Sequence, residues 1–273
     1  MSDFKQFIVS TTYHEPQFKL KTLLTSCLPF IKDNFSKVIV CCTPATSKDV
    51  LDFLEQEGFI VHVSTIDTEV NTYKQAIETA LEYIENDGTQ RIFYIDFDRL
   101  LHWIDKYPAE LKQTLGRGEN FEFVHIGRTP TAFETHPETQ RDTESIINKI
   151  GSSVLELDKT RDIMSPCYIL TKSLAETILE VNHLTNLGFY CTWPIIFWKL
   201  AKSKRYIAVE GHEWETPDRF QPQIKKAGYE KWIARFQSKK EWQKRVRFLK
   251  ESMIELSRLV EYKFIESKLY ELI

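Results

Sequence analysis

The chain predicts an α/β fold of three layers, a mainly parallel central sheet sandwiched between helices. Two observations carry this. From Phe7 onward, short apolar runs alternate with segments of helical periodicity, and strands linked by helices of that length pair in parallel through right-handed crossovers. The run Ile92-Phe93-Tyr94-Ile95 is uninterrupted and either β-branched or aromatic, as suits a strand buried on both faces.

Taken in order, Phe7–Thr11 reads as the first strand, running into Thr12-Tyr13-His14-Glu15-Pro16. Leu20, Leu23, Leu24, Cys27, Leu28 and Ile31 stand three or four residues apart and predict a helix over about 17–32. Val38–Cys42 is the second strand, and Thr43-Pro44-Ala45-Thr46-Ser47 is a turn and helix cap. The next helix carries Val50, Leu51 and Leu54 and stops at Gly58. Phe59–Thr65 forms the third strand and leads to Asp67 and a helix over about 71–85. The fourth strand ends at Asp96 and Asp98. Beyond it come a strand at Glu122–Gly127, a polar stretch at Arg128–Gln140 and a helix to about Lys149. A strand at Cys167–Leu170, helices over about 172–182 and 191–202, and a short strand at Tyr206–Val209 complete the domain, expected to span 1–220.

Composition narrows the function classes. A net charge of −3 and 13% aromatic residues in 273 indicate neither disorder nor a general nucleic-acid surface. No apolar run reaches the roughly 18–20 residues needed to cross a bilayer, and the opening Met-Ser-Asp-Phe-Lys-Gln lacks the apolar core of a signal peptide. The five cysteines form no Cys-x-x-Cys pair and read as reduced core thiols. The expectation is a cytoplasmic protein with no nucleic-acid partner.

Chemistry is concentrated where the fourth strand ends. A charge is costly inside a buried strand, so Asp96 and Asp98 are expected where it emerges at the carboxyl edge, the ligand-binding edge of open α/β sheets. Strand alternation would put both on one face. Two hard oxygen donors at this spacing suit Mn²⁺ or Mg²⁺ bound jointly with substrate phosphates. This reading requires both carboxylates to face a cleft and to be free of arginine and lysine partners.

Three features in this order resemble GT-A glycosyltransferases, close in pattern to family 2, over roughly 5–215. They are the opening strand Ile8-Val9-Ser10-Thr11-Thr12-Tyr13-His14-Glu15, the third strand with Asp67 and the helix near Asn71, and Phe93-Tyr94-Ile95-Asp96-Phe97-Asp98 as an Asp-x-Asp signature. The chain departs from the pattern at Ser10, at Cys41-Cys42-Thr43, and in lacking a clear Glu-Asp pair for a catalytic base.

The resemblance implies a metal-dependent transfer of sugar from a UDP- or GDP-linked donor to a small-molecule, glycan or lipid-linked acceptor. It implies that Thr11, Thr12, Glu15, Asp67, Lys74, Asp96 and Arg128 bind the nucleotide-sugar, Arg128 within Gly127-Arg128-Thr129-Pro130 lining the sugar pocket. Asp96, Asp98 and His212 would be metal ligands. Asp162 is the first carboxylate to test as base. Thr135 and His136, in a polar loop, are read as acceptor contacts together with Trp193, Glu213 and Trp214, the tryptophans stacking on sugar faces, although Trp193 lies in an apolar helix with Ile196, Phe197 and Leu200 that favours core packing instead. Arg99, beside the aspartates, either binds phosphate or offsets their charge. Two other functions compete: a sugar-nucleotide nucleotidyltransferase, although the turn Thr12–Pro16 contains no glycine, and a non-catalytic binding module of the same fold.

After 220 the composition turns basic, with ten Lys and Arg against Glu230 and Glu241 over 225–250. Trp242, Val246, Leu249, Met253, Leu256 and Val260 recur at alternating four- and three-residue steps and predict an amphipathic helical extension over 221–273. Its apolar stripe is expected to pack on the domain or on a second copy in a homodimer. The alternative is peripheral contact with an anionic membrane.

Overall fold

The structure, a computed structural model, describes residues 4–85, 88–181 and 186–261. Seven strands form one sheet in the order β3-β2-β1-β4-β6-β5-β7. They are β1 (Phe7–Tyr13), β2 (Lys37–Cys42), β3 (Ile60–Val63), β4 (Arg91–Asp96), β5 (Phe123–Arg128), β6 (Tyr168–Leu170) and β7 (Lys204–Val209). Strands β1 to β4 are parallel neighbours, and β6 lies antiparallel between β4 and β5. The helices between them are α1 (Lys21–Asn34), α2 (Lys48–Gln56), α3 (Glu69–Tyr83), α4 (Phe97–Lys106), α5 (Pro108–Gly118), α6 (Pro130–Glu134), α7 (Glu138–Val154), α8 (Lys172–Val181) and α9 (Phe189–Leu200).

The layering follows from strand alternation. Phe93 and Ile95 of β4 face one core with Leu24 of α1, Leu54 of α2 and Trp103 of α4. Ile92 and Tyr94 face the other, with Ala76 of α3, Ile178 of α8 and Phe197 of α9. The central strands are thus covered on both faces, as a parallel sheet requires.

Two stretches depart from the expected pattern. The chain turns from β4 straight into α4 at Phe97, a helix absent from the sequence reading. A strand places every second side chain on one face, but two residues across a helical start differ by roughly 200°. Asp96 and Asp98 therefore diverge.

The second departure is the basic extension, which is broken before it becomes a long helix. A 3-10 turn at Thr216–Phe220, α10 (Gln221–Ala227), α11 (Tyr229–Ile233) and a second turn at Ala234–Gln237 precede α12 (Lys239–Glu261). Gly228 interrupts it at φ +83, a conformation that favours glycine. Helix α12 lies on α7 and α9, with Phe248 and Leu256 buried against Ile147, Ile163 and Ile195. Val246 and Val260 of the expected stripe are 53% and 66% exposed, whereas the polar Ser252 and Glu255 are buried. Leu249, Met253 and Leu256 of the stripe pack on the domain, and the docked face also meets polar groups: Glu255 accepts from Asn186 at 2.9 Å, and Glu251 accepts from the Leu187 amide at 3.1 Å. Residues 262–273 of the expected extension lie outside those described, and no described helix is long and apolar enough to cross a membrane.

Leu256→Ala should cost about 2–4 kcal/mol in urea unfolding, while Val246→Ala should stay within about 0.5 kcal/mol. Equal effects would contradict this docking face.

Candidate active site

The parallel strands bring Thr12, Asp96 and Arg128 to one sheet edge. Thr12 is paired with Asp96 in the β1–β4 register and donates its hydroxyl to Asp96 Oδ1 at 2.8 Å. Tyr73 of α3 donates to the same oxygen at 2.6 Å, and Tyr190 of α9 donates to Tyr73 at 2.9 Å. Burial pushes the Asp96 acid up to about 6, with the Asp98 charge adding to it and Arg99 and the two hydroxyls opposing it. A carboxyl tuned toward neutrality beside a cavity marks a functional candidate. The cavity measures 430 Å³ and is bordered by Asp96, Arg99, Arg128, Tyr190 and Trp214, with Lys244 and Arg245 of α12 above.

Arg128 is held through its Nε and Nη2. Its Nε donates to Asp162 Oδ2 at 2.7 Å, and its Nη2 donates to Asp162 Oδ1 at 2.8 Å and Glu144 Oε2 at 2.6 Å. Asn148 of α7 donates to Asp162 Oδ1 at 3.1 Å and accepts from the Ile163 and Met164 amides. Burial alone would raise the Asp162 acid, but the Arg128 charge and hydrogen bonds outweigh it and hold it well below the usual range. With both oxygens occupied and so acidic, Asp162 orients Arg128 and is a poor proton acceptor.

The segment after β7 is clamped onto the start of α4. Glu110 of α5 accepts from the Glu210 and Gly211 amides at 2.9 and 2.8 Å and from Trp103 Nε1 at 3.0 Å. The Gly211 backbone lies so close to Trp103 that a Cβ would collide with the indole. Farther on, Arg219 pairs with Asp98 at 2.9 Å and with Glu15, while Asp218 accepts from His102 at 2.7 Å. Glu215 lies 3.4 Å from Arg99. Opposite charges pair across the two segments: Asp98 with Arg219, Arg99 with Glu215 and His102 with Asp218.

These contacts locate the remaining expected residues. Thr11 is buried and spends its hydroxyl on the Ile39 carbonyl at 2.9 Å, so only Thr12 faces the site. Glu15 is held by Arg219. Asp67 is exposed between β3 and α3, and Lys74 is half-buried one turn into α3. Thr135 accepts from the Trp214 amide at 2.8 Å, and Trp214 packs on Trp232 and Phe236 at the cavity wall. His136 is buried, with Nδ1 on the Ala132 carbonyl at 3.1 Å. Glu213 lies 3.7 Å from His102. Trp193 is enclosed by Phe189 and Phe197 in the α9 core, away from the cavity.

The expected metal set does not fit as arranged. Asp98 is committed to Arg219 and to the Arg99 amide at 2.9 Å, failing the requirement set by the sequence, whereas Asp96 meets it. His212 is fully buried against Trp103, 4.7 Å between ring centroids. Burial, followed by the Arg99 and Arg128 charges, drives its imidazole well below the usual value. Among the described residues, no group of three His, Cys, Asp or Glu side chains is placed to hold an ion.

No family model matches the chain, and no curated protein matches it in sequence. Among solved structures, the chain is similar to a protein of Desulfovibrio desulfuricans G20 assigned as a nucleotide-diphospho-sugar transferase, at 11% identity and TM-score 0.43, covering 91% of this chain and 98% of that one. It is also similar to glucosyl-3-phosphoglycerate synthase of Mycobacterium tuberculosis, solved with Mn²⁺, uridine diphosphate and phosphoglyceric acid, at 11% identity and TM-score 0.42 over 74% and 68% of the two chains. A third is 4-diphosphocytidyl-2C-methyl-D-erythritol synthase, at 12% identity and TM-score 0.39 over 82% and 99%.

Sequence reasoning passed over Tyr73, Tyr190, Glu144, His102 and Arg219. The mirrored charges of Asp98-Arg99…His102 and Glu215…Asp218-Arg219 were a usable signal, since helical spacing places 98, 99 and 102 within one turn. The tyrosines carried no signal, because their spacing is that of core aromatics.

Two measurements test this geometry. Ionisation of Asp96 opposes folding as pH rises from the ordinary 3.8 through about 6. Asp96→Asn should therefore raise stability at pH 8 by on the order of 1–2 kcal/mol, with no gain at pH 3. For His102, burial would lower the pKa, but its bond to Asp218 outweighs this and raises it. That stabilisation is complete below the ordinary 6.5 and is lost as pH climbs through the raised value. His102→Gln should flatten this decline by on the order of 1 kcal/mol in urea titrations at pH 6 and 9.

Proposed function

We propose that the protein is a glycosyltransferase that moves a sugar from a nucleoside-diphosphate donor to an acceptor held in the cavity beside β4. One observation carries the reading: Asp96 stands at the carboxyl end of a central parallel strand, tuned toward neutrality and bordering a cavity of 430 Å³. Ligands of open α/β sheets bind at this edge.

In this reading the nucleotide lies across the ends of β1, β2 and β3, where Thr12 and Asp67 face it and Glu15, buried and paired with Arg219, fixes that arginine beside it. Lys74 supplies a compact positive charge to the donor phosphates. Trp214 offers an aromatic wall to the sugar or acceptor. Asp96 takes the proton of the attacking hydroxyl, because its carboxylate forms near neutral pH and already accepts from two hydroxyls, Thr12 and Tyr73. Arg128, fixed by Asp162 and Glu144, supplies a rigid positive wall and not a mobile ligand contact. No step is routed through a metal, since Asp98 and His212 are committed elsewhere.

Screening UDP- and GDP-sugars by thermal shift, followed by assay of nucleoside-diphosphate release with a panel of hydroxyl acceptors, tests the reading. With an active pair, kcat/KM should drop about tenfold per pH unit below about 6. Asp96→Asn should lower kcat at least 100-fold with the fold intact. A fully active Asn variant, or absence of any nucleotide-sugar binding, would sink it.

A further inference from the structure

Arg99 is 6% exposed, and among the described residues its Nε and Nη1 find no hydrogen-bond partner, while Nη2 reaches the Glu215 carboxylate at 3.4 Å. A buried guanidinium with most of its donors unmet is costly, and such an orphan in a native fold points to a missing partner. The residue borders the cavity, and its planar fork matches the oxygens of a phosphate.

We propose that this cavity binds a phosphomonoester group on the Arg99 guanidinium, with Lys244 and Arg245 of α12 reinforcing the site. Each carboxylate at the cavity is paired or pushed toward its neutral acid: Glu215 faces Arg99, Glu144 is shared by Arg128 and Arg245, Glu241 is paired with Lys244, and burial raises the acids of Asp96 and Glu69. The Lys244–Glu241 pair is largely solvated on the lysine side, so Lys244 exchanges partners at little cost.

Placement decides between the two sources of such a phosphate, the donor diphosphate and an acidic acceptor. Apart from Glu69 and Asp96, the cavity walls come from residues after 98, and none comes from β1, β2 or β3. The site therefore sits on the opposite half of the sheet edge from the proposed nucleotide, and we assign the anion to the acceptor. That assignment rests on the transferase reading; the anion site itself does not.

Calorimetry and thermal shift on the full chain at low ionic strength test it, with inorganic phosphate and glycerol 3-phosphate as anion probes and UDP as the donor-side probe. Both phosphates should bind saturably to the parent protein. Arg99→Met should weaken them at least tenfold, and Lys244→Gln with Arg245→Gln should weaken them about three- to tenfold, leaving UDP affinity within twofold. Should Arg99→Met fail to fold, Arg99→Lys, which keeps charge but loses the fork, should still weaken phosphate several-fold. Absence of phosphate binding by the parent, or unchanged binding by the Arg99 variants, overturns the site. A parallel loss of UDP binding in the α12 double variant overturns the acceptor assignment. Phosphate binding without any UDP binding keeps the anion site and removes the transferase reading.

Discussion

A buried guanidinium needs a carboxylate or carbonyl for each donor withdrawn from water, and Arg128 organises half the molecule by this demand. Its partners come from three places: Glu144 on α7, Asp162 on the segment before β6, and Phe133, whose ring lies 4.6 Å from the guanidinium. Asn148 then ties Asp162 to the following backbone. Removing one partner would leave an uncompensated charge in the interior, a far larger loss than any single bond contributes. The β5 end of the sheet edge is rigid for this reason.

The other half is governed by how abruptly β4 becomes α4. With no loop between them, Asp96 stays with the strand and faces Thr12 and Tyr73, while Asp98 turns with the helix toward Arg219. The acidic pair is split into a group that faces a cavity and a group that anchors the segment after β7. The cavity-facing acid and the structural charge pair are separated by two positions in the chain.

Legibility followed the physics of each element. The strands were readable because apolar runs bounded by turn residues have few other uses, and the parallel layering followed from helical spacing between them. The antiparallel β6 was not, since a three-residue strand carries no direction in its composition. Helix α4 was hidden because Asp96 and Asp98 read as the end of a strand, although Leu100, Leu101 and Ile104 repeat at helical spacing. Asp162 and Arg128 were singled out individually, but nothing local shows that they neutralise each other across thirty-four positions. Thr11 and Thr12 were indistinguishable by type and differ only in which face of β1 each occupies. The α12 face was legible in Leu249, Met253 and Leu256 but not in its polar contacts, because hydrophobic periodicity is blind to a polar docking surface such as that offered by Asn186 and the Leu187 amide.

Glu144 serves two arginines, Arg128 at 2.6 Å from the sheet and Arg245 at 3.4 Å from α12. One carboxylate joins the last described helix to the central strands, so positions 128, 144, 162 and 245 cannot vary independently. A neutral residue at 144 strands two positive charges at once, and a change that is harmful alone becomes tolerable once Arg245 has also gone. Divergent versions of this protein would exchange these four side chains together, as a block inherited or lost in concert.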